Sequence, residues 1–416
     1  MKCLSALAVS ISLLGMLTFP LASTALAEKE RITVWAWGEA ALGVQATIKL
    51  FEERTGIEVN LVKMGPWDVM DKFLISLRAG KGAPDVCRIS SRVFDSYAAT
   101  GKLVDLTDVI SPHRNDLLET ALKATTFKNR NWAAPGDINP GWVLYNWEIF
   151  ARYGIDPNKI VTWAEMIAAG RKLSGYNIKL LHLSVPSHSL GVNHFVLFLN
   201  SRAGNIYDAN GQVIRNNKLA KDTLRWYYDL KDVAFLAPNE DPSAFAALKE
   251  GKVATFVNNA STASVVKKLA PELAGKVSLM PWPKWSPDAK PTTGQWGGGV
   301  WTIPKQSTHK EAAIKFINFL TATEAGALAY YTESLLLPAY KPVYKAKAFR
   351  QPDPYFSGQV TYEALEAREV PALYQVDWSE TEMVLQNAID PMFQGSISPE
   401  VAWDQIERQL IDNLGR

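Results

Sequence analysis

Gln295-Trp296-Gly297-Gly298-Gly299-Val300-Trp301-Thr302-Ile303-Pro304 is the stretch from which the chain reads outward. Three consecutive glycines leave backbone without Cβ atoms. A ligand or a second strand can come very close there, and the N–H groups stay free to donate. Trp296 stands before the run; residues 300–303 alternate like a strand, and Pro304 closes it. Thr308-His309-Lys310-Glu311 has the Thr-x-x-Glu spacing of a capping box, and Ala312, Ile314, Phe316, Ile317 and Leu320 follow at helical spacing. An indole wall, open amides and a rigid strand–helix unit suit a polar ligand. A glycine bulge in a core strand is the plainer alternative.

Upstream, strand and helix alternate. Residues 31–37 read as a strand, and Gly38-Glu39 turns into a helix marked by Val44, Ile48 and Phe51 and ended by Gly56. Ile57, Val59 and Leu61 alternate as a second strand. Val69, Met70, Phe73, Leu74 and Leu77 form a helical stripe, and residues 85–89 a third strand. This order predicts an α/β fold with a parallel sheet covered by helices. Ligands of such sheets sit outside the carboxyl ends of the strands, here Trp37 to Glu39, Met64 to Trp67 and Ser90 to Arg92. The second half is also α/β. It shows strands at 142–145, 178–185 and 253–257, and Thr162-Trp163-Ala164-Glu165 is a capping box opening a helix. Stretches near 135–141, 280–284 and 334–341 read as crossings between two halves.

A chain of 416 residues is too long for one ordinary core and suits two. Residues 1–27 read as a secretory signal: Lys2, an apolar run from Leu4 to Leu17, Pro20, then Ala25-Leu26-Ala27 as the cleavage pattern. The run is shorter than the roughly 20 residues of a membrane span. Glu28 follows where a lipid-anchored protein would carry cysteine, so the expectation is a freely soluble periplasmic protein. The 44 basic residues nearly match the 42 acidic ones, which argues against nucleic acid or a charged membrane as main partner. Of two cysteines, Cys3 leaves with the signal. Cys87 alone makes no disulfide and no thiolate zinc site, and reads as a small buried residue. His182, His188 and His194, spaced by six, match no usual metal pattern, and no cofactor or metal is expected. The chain has 14 tryptophans; most suit packing, and those in loops after strands suit ligand faces.

Five stretches, in order, resemble the extracellular solute-binding proteins of bacterial ABC sugar importers, the maltose-binding-protein-like family. They are Ile32 to Gly38; Phe51-Glu52-Glu53-Arg54-Thr55-Gly56-Ile57-Glu58-Val59; Ala83-Pro84-Asp85-Val86 with Tyr97 and Gly101 to Leu106; Leu144 to Phe150 with Gly154-Ile155; and Gly298 to Lys305 with 311–320. The resemblance implies a two-lobed periplasmic-binding-protein fold, type II-like, whose lobes are joined by three crossing segments and close on a ligand by hinge bending. Residues 28–136 and 284–334 would form the first lobe, 137–283 and 335–416 the second. Carried over by position, the cleft would be lined by Trp37, Glu39, Trp67, Ser90, Ser91, Arg92, Asp137, His188, Asn193, Asn258, Asn259, Trp296, Gly297, Gly298, Trp378 and Glu380. Relatives often carry an aspartate where Ser90 to Arg92 stand, and an aromatic where Asn258 and Asn259 stand. The implied partners are a mono- or oligosaccharide and the permease subunits of a membrane ABC transporter, with the protein acting as a monomer.

The residue types suit a sugar. Each hydroxyl both donates and accepts, so carboxylates, amides and guanidinium groups are its partners, while the C–H faces of a pyranose lie on indole. Each residue also has a plainer reading: Glu39 as charge at a helix N-terminus, Asp137 as a pin for the crossing, Asn258 and Asn259 as turn residues. Two alternatives stay open. One is a non-neutral ligand such as a sugar acid, polyol phosphate or polyamine; the other is an exported carbohydrate-active enzyme. The sequence has no Gly-x-Ser-x-Gly elbow, His-Glu-x-x-His or phosphate loop.

Overall fold

The structure, a computed structural model, describes residues 29–185, 190–237, 242–260, 262–366, 368–371 and 378–414. The signal read at 1–27 and His188 lie outside them. Alternating burial of Ile32, Val34 and Ala36 makes Arg31–Ala36 the inner strand of the first sheet. The sheet order is Glu58–Lys63, Arg31–Ala36, Val86–Ser90, Gly299–Thr302, Ala134–Pro135. The first three run parallel, but Gly299–Thr302 is antiparallel to Val86–Ser90, so the expected parallel sheet is mixed. The cause is chain order: this strand returns from the other half of the molecule.

The second sheet has the order Ala234–Leu236, Lys179–Leu183, Val253–Asn259, Gly141–Asn146, Val277–Met280. It too is mixed: Gly141–Asn146 runs antiparallel to both of its neighbours. Helix Trp163–Ser174 on this side opens with the expected capping box, Thr162 receiving the Glu165 N–H and Glu165 the Thr162 N–H. The box expected at Thr308 does not form. Helix Lys310–Ala322 follows His309, whose N–H goes to Ser307 Oγ at 3.1 Å.

Three segments cross between the sheets side by side. Gly136 N–H donates to Gly299 O, Asn139 N–H to Gly297 O, Trp296 N–H to Asn139 O and Gly141 N–H to Gly294 O. Leu337–Pro338 pairs with Asp137–Ile138 from the other side. The first and third crossings fall where expected. The second runs through 294–299, not 280–284, because Val277–Met280 is the edge strand of the second sheet. Residues 284–293 stay with that sheet: Lys284 exchanges backbone bonds with Val161 and Trp163, and Thr293 Oγ1 donates to Gly141 O. Trp282 and Trp163, both fully buried, meet edge to face at 5.3 Å. The stretch after the third crossing divides. Phe349 stacks against Tyr331 of helix Glu324–Ser334 at 4.0 Å, whereas Ser357 Oγ donates to Val277 O in the second sheet.

A candidate ligand cleft between two lobes

The carboxyl ends of the three parallel strands open on one side of the first sheet. Trp37 and Glu39 follow the first; Pro66, Trp67 and Met70 belong to the helix Pro66–Ala79 after the second; Ser90, Arg92 and Val93 follow the third. The crossings add Asp137, Asn139, Trp296, Gly298 and Leu336, and the far side adds Trp378. Together with Arg88 these residues enclose about 260 Å³. Ten expected cleft residues therefore meet at one opening: Trp37, Glu39, Trp67, Ser90, Arg92, Asp137, Trp296, Gly298 and Trp378 line it, and Asn193 touches it through Arg92. Trp67 is 51% exposed and stands at the mouth.

Two arginines organise the wall. Arg88 Nη2 lies 3.1 and 3.0 Å from the two oxygens of Asp137, with both side chains buried. Its guanidinium sits 4.5 Å over the Trp37 ring. Asp137 Oδ1 also accepts the Gly299 N–H at 2.9 Å, and Oδ2 the Tyr330 hydroxyl at 3.1 Å. A carboxylate offers about four acceptor positions, and all four are taken. Asp137 thus lines the cleft but has no oxygen left for a ligand, and its expected role as a hydroxyl acceptor gives way to holding the first crossing. Burial pulls the Arg88 guanidinium toward the neutral form, but the Asp137 carboxylate outweighs it and holds the pKa above the ordinary value.

Arg92 spans the opening. It leaves the first sheet, bonds Asn193 Oδ1 on helix Leu190–Ser201, and places its guanidinium 4.5 Å over Trp378 and 5.6 Å over Trp296. Burial lowers its pKa to about 10, with Glu382 opposing. At neutral pH it is still a cation, half-buried between two indoles.

The glycine run serves the protein's own packing. A Cβ at Gly298 would fall on the Asp137 carbonyl oxygen, and one at Gly299 on the Arg88 guanidinium. Gly297 has φ +99, a conformation that excludes other residues. The Gly298 N–H goes to Ser91 Oγ at 3.1 Å and the Gly299 N–H to Asp137. The expectation of free amides fails for these two, because Ser91 from the loop after the third strand takes the first and Asp137 from the first crossing takes the second. Ser91 sits behind the wall, occupied by Gly298, and Gly297 is buried beside it.

Three further expectations do not meet the cleft. Asn258 and Asn259 end the strand Val253–Asn259, paired with Trp142 and Gly141 and buried in the second lobe. Glu380 accepts from Asn413 on helix Pro399–Leu414. His182 and His194 are interior: His182 Nε2 contacts Ala237 O at 2.6 Å and His194 Nε2 Val257 O at 2.9 Å. Burial, with His182 adding to it, pushes the His194 pKa down to about 3. Cys87 is fully buried, and burial raises its thiol pKa. Arg88, Asn139 and Tyr330 are structural members of the site that the sequence reading missed. Arg88 had a signal: a charge inside the apolar strand Val86–Ser90 requires a buried partner. Tyr330 had none.

Two α/β lobes crossed by three adjacent segments, with an indole-lined opening between them, define a cleft-type binding protein. The chain belongs to the bacterial extracellular solute-binding proteins, whose family pattern matches residues 46–354. It is 25% identical over 313 residues to the arabinooligosaccharide-binding protein of Bacillus subtilis strain 168, covering 72% of this chain and 70% of that one. It is 22% identical over 352 residues to the lactose-binding protein of Rhizobium radiobacter, covering 80% of each. The fold is similar to that of an ABC transporter solute-binding protein from Thermotoga lettingae bound with α-D-tagatose. There the TM-score is 0.76 and the identity 21%, over 93% of this chain and all of that one. No helix among the described residues is long and apolar enough to cross a membrane.

Proposed function

We propose that this protein captures an oligosaccharide in the cleft between its lobes and presents it to a membrane ABC transporter, without chemistry of its own. The observation that carries this reading is the convergence of Trp37, Trp67, Trp296 and Trp378 with Glu39 and Asn139 around one opening. Indole faces accept the C–H faces of a sugar ring, and the carboxylate and amide accept and donate to its hydroxyls. Curated relatives named for arabinooligosaccharide and lactose support a chain of two or more sugars. The 1–27 leader supports export to the periplasm.

A glycosidase reading would need two carboxyl groups flanking the bond to be cleaved. The cleft wall offers Glu39 and Asp137, and Asp137 is fully engaged by Arg88, Gly299 and Tyr330. Calorimetric titration with arabino-oligosaccharides, lactose and maltose tests the proposal, with product analysis of each mixture after prolonged incubation. Saturable binding of at least one sugar that is recovered intact is the expected result. Release of shorter sugars would replace binding with hydrolysis.

A further inference from the structure

Helix Leu190–Ser201 begins at the cleft and ends at a second opening. Asn193 near its start bonds Arg92, while Ser201 at its end accepts from Trp285 Nε1 at 2.9 Å. At 1.5 Å rise per residue these two positions are roughly 12 Å apart. The second opening encloses about 470 Å³ and shares no lining residue with the cleft.

Its walls are ordered before any ligand arrives. Trp226 and Trp285 meet edge to face, with ring centroids 4.6 Å apart, and Trp163 stands 5.6 Å from Trp226. Arg202 lies 4.8 Å over Trp285 and donates to Thr223 Oγ1 at 2.9 Å. The buried Trp163 Nε1–H has no partner among the described residues. The polar groups lean positive. Asp222 pairs with Lys218 at 2.6 Å and also faces Arg202, while Arg171, exposed on helix Trp163–Ser174, forms no ion pair among the described residues.

We propose that this opening is a second ligand site, separate from the cleft, that takes a saccharide bearing a carboxylate. The indole faces receive the apolar face of the ring, and the planar guanidinium groups of Arg171 and Arg202 receive the carboxylate in two-point contact. The geometry does not depend on what the cleft binds.

The test titrates the protein with trigalacturonate, followed by the indole N–H signals in NMR, in the wild type, Arg171→Glu, Trp226→Phe and Trp296→Ala. The expected result, read at the Trp226 and Trp285 indoles, is saturable binding that Arg171→Glu weakens at least tenfold and Trp296→Ala leaves unchanged, with maltotriose giving no comparable shifts at those two signals. Arg171 is exposed, so its variant reports on binding even if Trp226→Phe fails to fold. Absence of saturable binding at the Trp226 and Trp285 signals, binding there untouched by Arg171→Glu or lost in Trp296→Ala, or an equal response of those signals to maltotriose would each overturn the proposal.

Discussion

Arg88 Nη2 grips both oxygens of Asp137 at 3.1 and 3.0 Å, tying the third strand of the first sheet to the first crossing between the lobes. The pair is buried, and Trp37 covers the guanidinium. Its position in the wall of the cleft makes it look like ligand chemistry, but the Asp137 oxygens are spent inside the protein.

Replacing Asp137 by Asn should therefore unfold the empty protein more easily. Removing one partner strands a buried charge, at a cost of about 3–5 kcal/mol. Urea denaturation of the ligand-free protein reads this directly. Unchanged stability with weakened sugar binding would return Asp137 to the role of ligand acceptor.

Gly298→Ala should be nearly as harmful for a different reason. The added methyl group would fall on the Asp137 carbonyl oxygen, which belongs to backbone and has nowhere to go. Overpacking of this kind costs about 1–3 kcal/mol. A melting temperature within a degree of wild type would mean that the crossings separate freely at this point.

These two cases show where sequence reading stops. The glycine run, the strand after it and the Thr162 capping box were legible, because backbone freedom, alternation and a three-residue spacing are local properties. So were most of the cleft residues that follow the first sheet's parallel strands, since strand ends mark the ligand side of such a sheet. The use of the glycine amides was not legible, because it depends on how closely Ser91 and Asp137, far away in the sequence, approach them. The second crossing was misplaced by more than ten residues for a similar reason. Trp282 and Trp285 hold their segment to Trp163, more than a hundred positions away.

Arg92 bonds across the opening, from the loop after the third strand to Asn193. A hydrogen bond to a charged group contributes about 1.5–3 kcal/mol, so Arg92→Ala should shift the lobes toward a more open average by that amount. Small-angle scattering of the ligand-free protein should show a larger radius of gyration. An identical profile would mean that the lobes are held by the crossings alone.

His194 gives stability a pH dependence. Its Nδ1 receives the Ser184 N–H and its Nε2 meets Val257 O, a pattern that needs the neutral ring. Its folded pKa of about 3 lies below the ordinary 6.5, so the unfolded chain binds the proton more readily. The contribution is complete above about pH 6.5 and is lost as pH falls toward 3, about 2 kcal/mol of it between pH 8 and pH 5. His194→Gln should flatten the curve of stability against pH in that window. A slope equal to wild type would assign the dependence to other groups.

The central claim is that a sugar lies against Trp296 between the lobes. The most direct test is thermal unfolding of wild type and Trp296→Ala across a panel of neutral oligosaccharides, since a ligand bound only by the folded state raises stability by RT ln(1 + [L]/Kd). The account predicts a concentration-dependent rise in melting temperature with at least one oligosaccharide, and a loss of about 1–3 kcal/mol in its binding when the indole is removed. No shift with any sugar, or an equal shift in both proteins, would contradict it.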